Sequence, residues 1–475
     1  MTTATSKLSF WALIALVVGS MVGAGIFSLP QTFGRATGPL GAIIAWTIAG
    51  AGMLALALTF QVLARRKPEI EGGVYGYARA GFGAYLGFNA ALGYWIVGCL
   101  GNVSYLVLIK STLGAVIPAF GDGNTVHAVA VSSVLLWSVH FLILRGVKEA
   151  ATINTIATVA KLVPIAVFIL VAALAFDGAV LEHNLAISGG LEPGPLFEQV
   201  RSTMLITVFV FVGIEGASIY SRYAKNPNDV GTATVLGFVG VLALLVLVTM
   251  LSYGILARPE LAALRNPSMA GVLQAIVGSW GAVFISVGLI VSVSGAFLSW
   301  SLLAAEVLYS AAHTGTMPRF LARENVRKVP ANAVLLTNIV IQTFLISTLF
   351  SEDAFTAALK MTSAMILIPY LLVAAYALKL AWTGETYASQ TRSRRVDLAR
   401  GAFTTLYVLG MIYAGGLKFV LLSSLIYAPG VILFVIAQRE QNRRLFGFSE
   451  LLVFGAAVAA ALVAIWGLYS GSISL

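Results

Sequence analysis

Thirteen apolar runs, each cut off by a short polar segment, pattern the whole chain: residues 9–33, 39–63, 83–118, 126–144, 152–176, 199–221, 231–256, 272–312, 332–350, 354–379, 401–417, 419–437 and 449–469. A hydrocarbon core about 30 Å thick takes about 20 apolar residues of helix to cross. Lipid offers no hydrogen bonds to open sheet edges or bare loops. The pattern therefore predicts one all-α polytopic membrane body rather than a set of soluble domains. The runs at 83–118 and 272–312 exceed a straight crossing and predict tilt or extension past the bilayer. The short runs at 401–417 and 419–437 leave the count at twelve or thirteen.

Two of the runs contain glycine where an uninterrupted helix has no use for it. "VGAGIFS" stands at Val22–Ser28, and "EGASIYS" at Glu215–Ser221, 193 positions later. Five spans separate the two, so the copies run in opposite directions through the membrane, the mark of an inverted repeat. Residues 1–176 and 199–380 are then the two halves, and 400–475 supply two or three additional spans. Gly23, Gly25 and Gly216 tolerate non-helical backbone, so spans 1 and 6 are predicted to unwind near the bilayer midplane. Freed N–H groups at the start of a half-helix suit a carboxylate. Freed carbonyls suit an ammonium. Together the breaks read as a site shaped for an amino acid; the competing reading is close helix packing through small residues.

Composition agrees with the membrane reading and narrows it. The chain has 475 residues, 59% hydrophobic and 10% charged, with mean hydropathy +0.93. With the N-terminus cytoplasmic, the inside loops carry 21 Lys/Arg and 9 Asp/Glu, and the outside loops 5 and 8. The net charge of +10 is thus a topology signal and not a nucleic-acid footprint. Cys99 is the only cysteine, which excludes an intramolecular disulfide. The first run is too long for a cleaved signal peptide and predicts an uncleaved anchor. The four histidines lack metal-ligand spacing, no Walker loop occurs, and "GFGAYLG" at Gly81–Gly87 has the wrong spacing for a dinucleotide loop. No nucleophile–base set appears, so the chain does not read as an enzyme and calls for no cofactor or metal.

The segments "LVVGSMVGAGIFSLPQ", "RKPEIEGGVYGYARAGFG", "HFLILRGVKEAATIN", "FVGIEGASIYSRYAKNPNDVG" and "MPRFLARENVRKVPANA" carry a resemblance over nearly the whole length. The chain resembles the amino acid–polyamine–organocation superfamily, its basic amino acid/polyamine antiporter family, and within that the arginine/ornithine antiporters. The resemblance implies a five-plus-five inverted repeat with discontinuous helices 1 and 6. It implies Val22, Gly23, Ala24 and Gly25 around the substrate carboxylate, Tyr94 and Asn102 near the substrate, and Val97 and Gly98 at the side-chain end. It places Glu215 in gating with Phe211 and Gly213 beside it, Trp300 as an aromatic cover, Thr362 as a small polar contact and Tyr370 as a gate residue. Arginine/agmatine-exchanging relatives have a tryptophan in span 6; here "TVFVFVGIE" offers only Phe209 or Phe211. The implied function is sodium-independent exchange of arginine for ornithine across a bacterial-type cytoplasmic (inner) membrane, with arginine, ornithine and lysine as candidate substrates, the lipid bilayer as surroundings and a homodimer left open. A proton- or potential-driven transporter of one basic amino acid such as lysine stands as the alternative, and an amino-acid sensor or channel as the alternative of another class.

Charges inside spans cost about 2.5–3.5 kcal/mol at the bilayer centre, so each needs a reason. Glu215 lies in the second break and reads as a carboxylate that attracts a cation or carries a proton. Lys161 lies about ten residues into span 5, and in sodium-coupled members of this fold the corresponding region helps hold sodium. The resemblance therefore implies a built-in cation in place of the ion, with snorkelling to the surface as the opposing reading. Lys110, Lys360, Glu306 and His140 read as structural, Lys110 by reaching outward.

Overall fold

A computed structural model describes residues 9–70, 72–146, 150–187, 192–215, 225, 229–387 and 391–473. Among them every regular element is helical. The first half begins with α1 (Phe10–Met21), a 3-10 turn (Ala24–Ser28) and α2 (Leu29–Ala36). It continues through α3 (Pro39–Arg66), the short α4 (Gly73–Phe82), α5 (Ala84–Gly114), α6 (Val126–Leu144), α7 (Ala150–Leu174) and α8 (Gly178–Ile187). The second half holds α9 (Pro193–Val210), α10 (Asp229–Ser252), α11 (Arg258–Ala263), α12 (Ser268–Val277), α13 (Ser279–His313), α14 (Ala331–Ser347) and α15 (Ala354–Thr383). Three helices follow: α16 (Thr391–Gly415), α17 (Leu417–Glu440) and α18 (Phe448–Tyr469).

Nine single helices among the described residues are long and apolar enough to cross a bilayer, and eleven segments qualify when each bent pair counts as one. One pair is α1 with the 3-10 turn and α2, bent by 47°; the other is α7 with α8, bent by 93°. The chain is an integral membrane protein. The span expected at 199–221 is described only to residue 215, and α16 opens ten residues before the apolar run, on the charged stretch "TRSRRVDLAR". The long run at 272–312 resolves into two elements. Gly278, at φ +83°, turns the chain between α12 and α13, so the run begins in a separate short helix, while α13, at 35 residues, still exceeds a straight crossing.

α5 is the central post, with its whole apolar window buried, whereas α18 buries 17% of its window and forms the rim. α5 packs on α13 and α15, and α1 packs on α10, so each half lends helices to the other. At one end α11 and α12 cover α2: Arg35 Nε donates to the Ala262 carbonyl at 2.9 Å, and Arg258 Nε to that of Gly34 at 3.1 Å. His140 is a packing residue, bonded through Nδ1 to Asn338 at 2.9 Å. Lys110 departs from expectation: it is buried within the bundle instead of reaching outward, because α5 has no face free of neighbours.

Candidate functional site

The first span does break where its glycines stand. α1 ends at Met21, Gly23 takes an extended conformation at φ −110°, and the 3-10 turn begins at Ala24. The turn runs directly into α2, so its first N–H groups, at Ala24 and Gly25, head a thirteen-residue helical segment with no side-chain cap. The two glycines serve space rather than backbone freedom. A Cβ on Gly25 would stand 2.7 Å from Val210 and 2.9 Å from Phe209, and one on Gly23 would stand 3.2 Å from the Tyr105 hydroxyl. The second span breaks after Val210, with Gly213 at φ +106°, a conformation that side chains disfavour. Gly216 and the rest of the second motif lie outside the described residues.

Two polar clamps hold the breaks. The Lys161 ammonium donates to the Gly19 carbonyl at 2.7 Å and to that of Val22 at 2.8 Å. It thereby satisfies carbonyls that the end of α1 leaves without helical partners and places a cation at the negative end of that half-helix. Snorkelling is ruled out by this geometry. Ser20 Oγ donates to the Gly213 carbonyl at 3.1 Å, joining the first break to the second.

Glu215 is buried and held on both oxygens. Tyr94 donates to Oε1 at 2.7 Å, Tyr370 to Oε2 at 2.6 Å, and the Gly213 N–H to Oε2 at 3.3 Å. Helix geometry places this cluster relative to the pocket. Tyr94 precedes Val97 by one turn on α5, and Tyr370 follows Thr362 by about 12 Å on α15 at 1.5 Å per residue. Both hydroxyls meet one carboxylate, so the cluster lies off one end of the space that Val97 and Thr362 line.

That space lies between the two breaks. It is lined by Val22, Gly23, Ala24, Gly25, Val97, Trp300 and Thr362, all singled out by sequence. Other residues singled out stand behind it. Gly98 lets α5 approach α13, its Cβ position 2.9 Å from Ala304 and 3.9 Å from Trp300. Asn102 donates to Ser301 Oγ at 3.1 Å while its buried Oδ1 has no partner among the described residues. Phe211 is fully buried in an aromatic cluster, edge-on to Trp46 and tilted against Phe238; of the two phenylalanines in "TVFVFVGIE" it is Phe209 that reaches the lining, beside Val210 and Val212.

Sequence reasoning missed Ser20, Gly101, Tyr105, Val212 and Leu245, which also line the space. Gly101 and Tyr105 were within reach: they continue the face of α5 that carries Val97, at helical spacing. Val212 and Leu245 carry no such signal. Among the described residues no acid lines the pocket, and its polar lining is hydroxyls, an indole and main chain.

Residues 8–465 match the family model described as amino acid permease. An arginine/ornithine antiporter of Pseudomonas aeruginosa is 52% identical, covering 99% of this chain and 99% of that protein. An L-lysine transport protein of Corynebacterium glutamicum is 43% identical, covering 99% of this chain and 97% of that protein. Among solved structures, that of MhsT in complex with L-phenylalanine superposes with a TM-score of 0.58 at 15% identity, over 85% of this chain and 98% of that one. At that identity the likeness carries the five-plus-five fold and nothing about the ligand.

Proposed function

Because this chain belongs to the amino acid permease family, we propose that it is a secondary transporter exchanging basic amino acids, arginine inward for ornithine outward, by sodium-independent alternating access. The observation that carries the reading is the convergence of the first break, Trp300 and Thr362 on one pocket, in a chain that matches an arginine/ornithine antiporter end to end. The Ala24 and Gly25 amides hold the carboxylate at the start of a helical segment. Trp300 stacks on the cationic arm. Glu215, locked by Tyr94 and Tyr370, is the gate between pocket and cytoplasm, and it opens when those two bonds break. Lys161 occupies the place of a coupling cation.

The excess of Lys/Arg on one set of loops supports a cytoplasmic N-terminus in a cytoplasmic (inner) membrane, which directs the Glu215 end inward. Arginine and ornithine each carry one net positive charge at neutral pH. One-for-one exchange moves no net charge and runs on the two gradients alone. No chemical step on a substrate is involved, in keeping with transport rather than enzymatic function.

The test is counterflow in proteoliposomes. Arginine uptake requires internal ornithine and is unchanged when sodium is replaced by choline. Equal uptake by empty and ornithine-loaded vesicles overturns the exchange reading. Potential-driven uptake of lysine into empty vesicles would favour a transporter of a single basic amino acid instead; one relative is named an L-lysine transport protein.

A further inference from the structure

The central helix α5 carries four glycines in its interior, at 87, 93, 98 and 101. A glycine inside a helix is destabilising relative to alanine, so each calls for a reason. Three have one in packing. A Cβ on Gly87 would stand 2.4 Å from Arg79, on Gly93 2.1 Å from the Tyr427 hydroxyl, and on Gly98 2.9 Å from Ala304. Among the described residues a Cβ on Gly101 would meet nothing within 4 Å, although Gly101 is buried and lines the pocket. Its missing side chain therefore opens volume to the pocket and not to another helix.

Its position says what the volume is for. Gly101 lies one turn, about 6 Å, from both Val97 and Tyr105. The Tyr105 hydroxyl marks the Gly23 end of the pocket, and Gly98, next to Val97 on α5, marks the Trp300 end. A molecule whose carboxylate sits at the first break and whose side chain extends towards Trp300 passes over Gly101. We infer that Gly101 is a specificity-determining residue, whose bare backbone makes room for the long arm of a basic amino acid, arginine above the shorter ornithine. This rests on the exchange reading above.

The test pairs selectivity with stability in the full-length protein. Gly101→Ala keeps or raises the melting temperature in detergent, because the new methyl meets no neighbour and alanine favours the helix. Gly98→Ala, the packing control, lowers it. In ornithine-loaded proteoliposomes the half-saturation concentration for arginine rises several-fold in Gly101→Ala and roughly tenfold or more in Gly101→Val. That for external ornithine rises by a clearly smaller factor. Equal losses for both substrates, an unchanged ratio in a folded variant, or a fall in melting temperature matching Gly98→Ala overturns the assignment. Wild-type vesicles that fail to exchange overturn the exchange reading alone. Stabilisation of purified protein by arginine and by ornithine still ranks the two ligands in wild type and variants.

Discussion

Ser20 and Gly213 are 193 positions apart and joined by a 3.1 Å hydrogen bond from the serine hydroxyl to the glycine carbonyl. The two copies of the glycine motif are separated by the same 193 positions. Ser20 and Gly213 thus each stand two residues before their own copy of the motif. The bond ties one unwound backbone to the other. It also leaves no space at Gly213, where a Cβ would stand 2.6 Å from the Ser20 carbonyl oxygen.

Gly213→Ala follows directly. The positive φ costs a side chain roughly 1–3 kcal/mol, and the opposing atom is backbone that cannot swing aside. The variant should lose most of its folded yield and its exchange. Ser20→Ala removes one hydrogen bond, about 1 kcal/mol, and should retain exchange. Size-exclusion profiles and counterflow of the pair measure this; a well-folded, active Gly213→Ala would show that the second break does not need this turn.

Glu215→Gln separates charge from shape. Both carboxylate oxygens accept tyrosine hydroxyls, and a glutamine offers one acceptor and a donor in their place. One tyrosine bond is lost, worth about 1.5–3 kcal/mol for a charged acceptor, so the gate should be looser. Arginine should still bind, since the carboxylate lies outside the pocket lining, while exchange rate and its pH profile change. Tyr370→Phe should alter the rate in the same direction. Wild-type kinetics and pH profile in Glu215→Gln would reduce the cluster to packing.

Lys161→Met removes the ammonium from two buried carbonyls. Each unsatisfied group costs about 1–3 kcal/mol, and the end of α1 loses its cation. The melting temperature should fall and exchange should drop at least tenfold, with no dependence on sodium in the wild type. Full exchange by Lys161→Met in sodium-free buffer would remove the residue from the mechanism.

Trp300→Ala tests the stacked cation. Such a contact is worth about 0.5–2 kcal/mol, so arginine affinity should fall several-fold or more, with Trp300→Phe recovering part of it. Since Trp300 also flanks Gly98, melting temperature is read alongside. A folded Trp300→Ala with unchanged affinity would assign the indole to packing.

The sequence alone determined the membrane body, the broken first helix and the inversion of the two halves, because each is written in local runs: apolar length, glycine position and spacing. It also placed Glu215 and Lys161 as residues that need a reason, since a charge inside an apolar run is conspicuous. Three-dimensional contacts decided what those reasons are. That Lys161 grips Gly19 and Val22, 139 or more positions away, cannot be read from neighbours in sequence. Nor can the roles of the glycines, which look alike in the chain. Gly25 admits Val210, Gly98 admits Ala304, Gly213 supplies a backbone angle and Gly101 supplies empty space. Phe211 and Phe209 stand two residues apart, yet one fills the aromatic core and the other meets the pocket. Spacing tells which side chains share a face; only packing against other helices decides what that face meets.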